Sequence, residues 1–145
     1  MYATVGSGAH RTDGNSTHRF EYFTGLLPAD DAMVSPLAAL ALYPIREGEE
    51  LGHGQPVPAA RPLWPGTDMH HFLVLRLRNT VLPPLELGQG LHAEFLQAIP
   101  LFERELEWKA RYGADALIDY WRETQVPFWN PGRAPSDLPV PTSQI

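Results

Sequence analysis

The segment Leu91–Glu123, LHAEFLQAIPLFERELEWKARYGADALIDYWRE, decides how the rest of the chain is organised. Its first part, residues 91–99, is rich in apolar side chains and lies between Gly90 and Pro100. This pattern predicts a buried strand at the centre of a sheet. Because proline has no N–H group to donate to a neighbouring strand, we expect the strand to end at Pro100. The remainder of the segment has the periodicity of two consecutive helices.

The first of these helices should begin near Phe102 and stop at Gly113, since glycine is the commonest residue just beyond a helix. Its apolar arc, at 100° per residue, contains Leu101, Phe102, Leu106, Trp108, Ala110 and Tyr112. Arg104, Glu107 and Arg111 fall on the opposite, solvated side. The second helix repeats apolar residues at helical spacing from Leu117 and should end before Pro127.

Two charged residues, Glu105 and Lys109, lie within the apolar arc of the first helix, four positions apart. One interpretation is a partly buried ion pair at the edge of the core, since side chains at this spacing meet on a helix surface. The other interpretation is a charged feature that lines a functional groove.

The same segment resembles the Suppressor of fused domain family. Members of that family have a similar F-L-Q strand, a turn of the type P-I-x-x-x-E and a helix, then a glycine and a short leucine-rich helix. In this chain FLQAIPLFEREL places Glu105 on the acidic position, and YGADAL supplies the second helix. The matching residues of that second part are Gly113, Ala116, Leu117 and Ile118.

The resemblance extends over most of the chain, from Thr4 to Arg133. The segment TDMHHFL is similar to a family segment with one histidine, here His71, and FWNPGR is similar to a terminal strand that closes on an arginine, here Arg133. Further matching positions lie in an N-terminal hairpin and a glycine-bounded turn: Thr4, Gly6, Arg19, Glu21, Gly48, Leu51 and Gly54.

Composition restricts the class of protein. The chain has 145 residues, 43% hydrophobic residues and a formal net charge of −6, which favours one acidic globular domain. An acidic chain is a poor candidate for binding nucleic acid or anionic membranes. The absence of cysteine excludes disulfides and thiolate chemistry. We also see neither a run long enough to span a membrane nor a signal sequence, so a cytoplasmic location is expected.

The other elements predict an α/β (α+β) fold with a single mixed sheet and helices packed on it. Strands are expected at residues 1–6, 18–24, 56–63 and around Leu73–Leu77, and a proline-rich loop at 79–90. A nearly all-apolar helix should run from Leu37 to Tyr43, capped by Ser35 and ended by Pro44. We assign residues 1–134 to one domain and expect 135–145 to be a flexible, proline-rich tail.

Six histidines raise the question of a metal site, with His53, His70, His71 and His92 as candidates. None has a recognised ligand spacing, and adjacent residues on a strand point to opposite faces. No nucleophile motif is present either. The sequence therefore predicts no cofactor, no metal and no catalytic residue.

Candidate contact residues are the acidic turn with Glu47, Glu49 and Glu50, and the aromatic Trp129 at a proline-bounded edge. Carboxylates steer a basic partner over long range, and tryptophan is enriched at the centres of interfaces. His71, Glu105 and Arg133 complete the predicted binding set.

The family resemblance implies a non-catalytic domain that binds another protein, since the animal family protein sequesters a transcription factor. Compact single-domain bacterial relatives are thought to be immunity proteins that neutralise toxins. The small size and acidity of this chain favour that second kind, with a basic toxin as partner and no oligomeric state implied. The alternatives are a ligand- or metal-binding protein or hydrolase with His71, Glu105 and Arg133 in one polar pocket, and a structural subunit of an assembly.

Overall fold

A computed structural model describes residues 1–5, 18–26, 31–48, 51–76 and 82–139. Within these residues the chain forms six strands and three α-helices. The strands are β1 (Tyr2–Ala3), β2 (His18–Thr24), β3 (Gln55–Pro58), β4 (His71–Leu75), β5 (Leu85–Gly88) and β6 (Leu91–Leu101). The helices are α1 (Val34–Glu47), α2 (Glu103–Tyr112) and α3 (Ala114–Glu123), and a 3-10 turn at Asp31–Met33 precedes α1.

All six strands belong to one mixed sheet in the order β1-β2-β6-β4-β3, and β5 pairs with β6 beside β4. β2 runs parallel to β6, whereas β4 and β5 run antiparallel to it. The predicted central strand is therefore central, and two consecutive helices follow it. The predicted fold class, a mixed sheet with helices packed on it, is confirmed.

The helices cover the sheet on both faces. Along β4, Phe72 and Val74 belong to the apolar cluster beneath α1, whereas Leu73 and Leu75 belong to the cluster beneath α3. The central strand β6 divides its apolar side chains between the same two clusters. Strands buried on both faces read as continuous apolar runs, which is why β4 and β6 were recognisable in the sequence. None of the helices in the described ranges has the length and apolarity to cross a bilayer.

Pro100 does not end the central strand, so that prediction is wrong. It pairs with Phe72, and β6 continues to Leu101. The carbonyl of Pro100 accepts a hydrogen bond from Arg133 (3.0 Å), not from β4. The nitrogen of a strand residue faces the same side as its carbonyl, and β2 pairs with β6 only as far as Gln97. The missing N–H therefore removes no bond from the sheet.

Pro44 does not end α1 either, because the helix continues to Glu47. An internal proline costs a helix about 3 kcal/mol. Here Leu40, Ala41 and Pro44 itself are buried, and this packing holds the helix together across the lost hydrogen bond. Ser35 is not the cap, since the helix begins at Val34.

Three further boundaries differ from the prediction. Part of the expected loop 79–90 forms β5, whose side chains are all exposed and carry little periodic signal. The strand expected over 56–63 is shorter, because β3 is Gln55–Pro58. The segment of residues 128–133, which resembles a terminal strand, forms turns instead. One of them is closed by the bond from the Asn130 N–H to the Pro127 carbonyl (2.9 Å).

The prediction that the tail is flexible from residue 135 is wrong for its first part. Leu138 is buried in the cluster beneath α3, and Ser136 is buried beside it. Arg104 donates a hydrogen bond to the Leu138 carbonyl (3.0 Å), and the Tyr120 hydroxyl donates to the Asp137 carbonyl. Proline richness excluded a helix here, but an extended segment can still pack. We call residues 131–139 the strap; residues 140–145 lie outside the described residues.

Candidate functional site

Glu105 and Arg133, two residues of the predicted binding set, form one buried ion pair. Both side chains are closed to solvent, with exposed fractions of 0% and 1%. The guanidinium of Arg133 donates two parallel hydrogen bonds to the carboxylate of Glu105, from Nη2 to Oε1 (2.7 Å) and from Nη1 to Oε2 (2.9 Å). Bidentate pairs of this kind combine charge with fixed geometry. The expected pairing of Glu105 with Lys109 is therefore wrong: the cation comes from the strap.

The carboxylate accepts its remaining hydrogen bonds from inside the protein, whereas Nε of the Arg133 guanidinium is buried without a hydrogen-bond partner among the described residues. Oε1 of Glu105 accepts the Phe102 N–H (2.9 Å), and Oε2 accepts the Ser136 hydroxyl. Ser136 in turn accepts from the Trp121 indole N–H (2.9 Å). The Arg133 guanidinium carbon also lies 4.9 Å from the centre of the Phe102 ring and 5.5 Å from that of Trp121. This network links the first turn of α2 to α3 and to the strap, so it stabilises the fold. Because its side chains are buried, a partner protein cannot contact them.

His71 stands apart from this network. Its side chain is 16% exposed at the start of β4, with Nδ1 3.8 Å from Oε2 of Glu103. A cavity of about 450 Å³ opens beside Arg133, but Trp64, Phe102, Pro131 and other residues line it, and neither His71 nor Glu105 does. The polar pocket joining His71, Glu105 and Arg133 is not assembled, so the enzymatic alternative has no support in this geometry.

Three histidine candidates for metal binding, His53, His71 and His92, each lie near a different carboxylate. His53 accepts the Arg76 N–H at Nδ1 (3.0 Å) and pairs through Nε2 with Asp115 (2.8 Å), while His92 lies 3.4 Å from Glu86. Within the described ranges, no three His, Asp or Glu side chains come together as a metal site would require.

The predicted surface contacts are described in part. Glu47 ends α1 and is exposed, whereas Glu49 and Glu50 lie outside the described residues. Trp129 is 42% exposed. Its ring packs edge-on against Phe128, with centroids 5.2 Å apart, and Phe128 stacks on Trp121 at 5.9 Å. Trp129 is therefore held rigidly at the surface by aromatic contacts that lead into the core.

One open cavity beside α1 was not predicted from the sequence. It is an open groove of about 810 Å³ between α1 and the segment 57–66. We call it the α1 groove. The flank of α1 that faces it carries Ser35, Ala39, Tyr43 and Arg46, at helical spacing. Its volume is in the range of protein ligand sites, about 300–1,000 Å³.

The opposite flank of α1 faces a second cavity of about 450 Å³ next to β1, lined by Val34, Ala38, Leu42 and others. The helix thus rests on the sheet along one face and leaves an apolar flank on each side. The sequence signal was the nearly all-apolar composition of α1, which favoured a helix that is sandwiched or lies over a sheet. The two open flanks are the part that sequence reasoning missed.

The fold and site together define a small α+β sandwich domain with a sealed polar network and open apolar grooves. The family model for the Suppressor of fused protein (SUFU) matches residues 1–134, and the chain belongs to this family. No curated protein matches the chain significantly.

Solved structures of the same fold agree with this assignment. A chain in the structure of the Sufu-Fu complex superposes with a TM-score of 0.69 at 19% identity, covering 88% of this chain and 62% of that one. A SUFU homologue from Neisseria gonorrhoeae gives 0.63 at 18%, covering 86% and 65%. Drosophila Suppressor of Fused gives 0.61 at 20%, covering 74% and 26%. This chain therefore spans less than two thirds of each of these proteins.

Proposed function

We propose that this domain acts by binding another protein, and that the α1 groove is the contact site. The observation that carries the proposal is the groove itself, an open apolar surface large enough for several side chains. Family membership supports it, because one similar structure is that of a complex between Sufu and Fu. Apolar surface that stays open on a folded domain marks an interaction site.

The groove wall is held in one shape by backbone bonds. The Ala59 N–H donates to the His70 carbonyl (2.8 Å), and the Leu63 N–H donates to the Met69 carbonyl (2.9 Å). In the turn between Leu63 and Met69, Oγ1 of Thr67 accepts a hydrogen bond from the Met69 N–H (3.1 Å). A preformed wall lowers the entropy lost on binding.

We further propose that the partner is a basic toxin and that the domain neutralises it stoichiometrically, as an immunity-type protein. The net charge of −6 supports this, since opposite charges accelerate encounter. Glu47, Glu49 and Glu50 would contribute to the steering field. Trp129 would add a second apolar contact away from the groove, since it packs on Phe128, which packs against the cluster beneath α3.

The proposal of neutralisation is tested by titrating this protein into the purified product of the gene directly upstream. If that product is a toxin, its activity should fall linearly and vanish at one equivalent. Loss of activity only at a large excess, or none at all, would contradict the immunity role. Binding without inhibition would leave the protein-binding function standing and remove the neutralising one.

A further inference from the structure

The α1 groove carries a local charge opposite to that of the whole chain. Among its described lining residues the only charged ones are Arg46, near the end of α1, and Arg61, in the opposite wall. Both side chains are exposed. Neither is in an ion pair with any residue that the structure describes, although the chain as a whole carries 17 acidic residues and 11 basic ones.

The edge of the sheet beside the groove offers only hydrogen-bond acceptors. β3 is an edge strand, and Ala59 bonds to His70 across the ladder that continues it. Pairs that exchange bonds alternate along an antiparallel ladder, so Val57 also turns its backbone groups toward β4. Pro56 and Pro58 then face outward, and neither has an N–H group. A partner at this edge can donate to two carbonyls but can accept nothing from it.

The floor and walls between the two arginines are apolar. The buried side chains of Leu40, Val57, Leu63, Trp64 and Phe72 lie at the base of the groove, and exposed alanines and prolines with the half-buried Tyr43 complete the lining. Such a surface recognises apolar side chains, while guanidinium groups at its rim recognise carboxylates by bidentate hydrogen bonding. Full strand addition is disfavoured here, because the edge lacks donors.

We infer that the α1 groove takes an extended segment of the partner protein in which apolar side chains stand next to at least one aspartate or glutamate. The apolar side chains fill the groove, the carboxylate pairs with Arg46 and Arg61, and an N–H group of the segment donates to the carbonyl of Pro58, which lines the groove. This inference rests on the proposed function and specifies the chemistry of its site. It is compatible with a partner whose overall charge is basic, since a short segment need not share the sign of the whole protein.

The test is selection from a random nine-residue peptide display library on the intact domain. Binders are counter-selected on the variant Ala39→Trp, which fills the groove, so that only groove-dependent peptides remain. We expect these peptides to be enriched in Asp or Glu beside apolar residues. A synthetic copy should bind about tenfold more weakly to the double variant Arg46→Gln/Arg61→Gln, the loss expected for a charge-assisted hydrogen bond. Arg122→Gln, an exposed arginine on α3, is the matched control and should bind as the wild type does.

The possible outcomes distinguish binding in the α1 groove from the preference for an acidic segment. Groove-dependent peptides enriched in Lys or Arg, or without charge, would overturn the acidic-segment inference and leave groove binding intact. A selection that yields no groove-dependent peptide would overturn the inference outright. The toxin titration then decides on its own whether the domain neutralises a partner.

Discussion

Glu105 is the residue on which the α2 side of the molecule depends. A carboxylate that is fully buried requires a cation and filled hydrogen bonds, and Arg133, Phe102 and Ser136 supply both. The sequence showed that Glu105 lies in an apolar arc, which made it a site candidate. Its partner was not predictable, because Lys109 stands at the standard helical spacing whereas Arg133 is 28 positions away. The pairing of Glu105 with Arg133 depends on how the strap packs against α2, and no local sequence pattern predicts that packing.

Replacing Glu105 with Gln should reduce the free energy of unfolding by about 3–5 kcal/mol, since it leaves the Arg133 guanidinium buried without a counter-charge. The measurement is urea denaturation of the purified domain. Lys109→Gln is the control at a half-buried position of the same helix, and we expect a change within about 0.5 kcal/mol, because no buried charge loses its partner. Equal effects for the two variants would show that the pair with Arg133 does not hold the fold.

At Trp129, truncation should affect binding more than stability. Trp129→Ala removes a half-exposed indole that packs edge-on against Phe128, so the free energy of unfolding should fall by only about 1 kcal/mol. Tryptophan at the centre of an interface contributes about 2 kcal/mol or more, so the dissociation rate of the partner should rise at least about tenfold. Surface-based kinetics measure this rate. Trp129→Phe should retain much of the affinity; unchanged dissociation in Trp129→Ala would remove this residue from the contact.

Among the elements, those buried on two faces were predicted most closely. β4 and β6 carry long apolar runs, and α2 and α3 begin and end near where periodicity and Gly113 place them. Elements that depend on tertiary context were predicted poorly. β5 is exposed, α1 passes through Pro44, and the strap packs without any periodic pattern. In each case a neighbour in space, not the local sequence, decides the conformation.

The strap should be needed for stability. Deleting Ser136–Ile145 removes buried Leu138, the Ser136 hydroxyl and the bond from Arg104, so the melting temperature should fall markedly. Leu138→Ala alone should cost about 2–5 kcal/mol, as buried leucine truncations do. Differential scanning calorimetry gives both values. A deletion variant with the same melting temperature as the wild type would show that residues 136–139 do not pack on the rest of the domain.

A close contact fixes the start of β3 against α3. A Cβ at Gly54 would lie 2.9 Å from the Ala114 Cβ, and the backbone there has a φ of +80°, which disfavours other residues. Gly54→Ala should therefore destabilise the domain by about 1–3 kcal/mol. At Gly52 a Cβ would meet nothing within 4 Å, so Gly52→Ala is the control. Equal melting temperatures would mean that the two segments do not approach so closely.

For the whole molecule, a net charge of −6 predicts that association with a basic partner depends on salt. Replacing Glu47, Glu49 and Glu50 together with Gln halves the formal charge, and the association rate should fall while dissociation changes little. Stopped-flow or surface kinetics across a salt series separate the two rates. An association rate that changes neither with salt concentration nor with the triple substitution would exclude electrostatic steering.

The central claim is that the partner binds in the α1 groove, and two neighbouring alanines test it most directly. Ala39 lines the α1 groove, whereas Ala38, the adjacent residue, lines the cavity on the opposite flank of the same helix. Both are exposed, so the same substitution should leave folding equally intact. Calorimetric titration of the partner should show binding lost, or weakened at least about a hundredfold, in Ala39→Trp and unchanged in Ala38→Trp. Unchanged binding in Ala39→Trp would contradict the account.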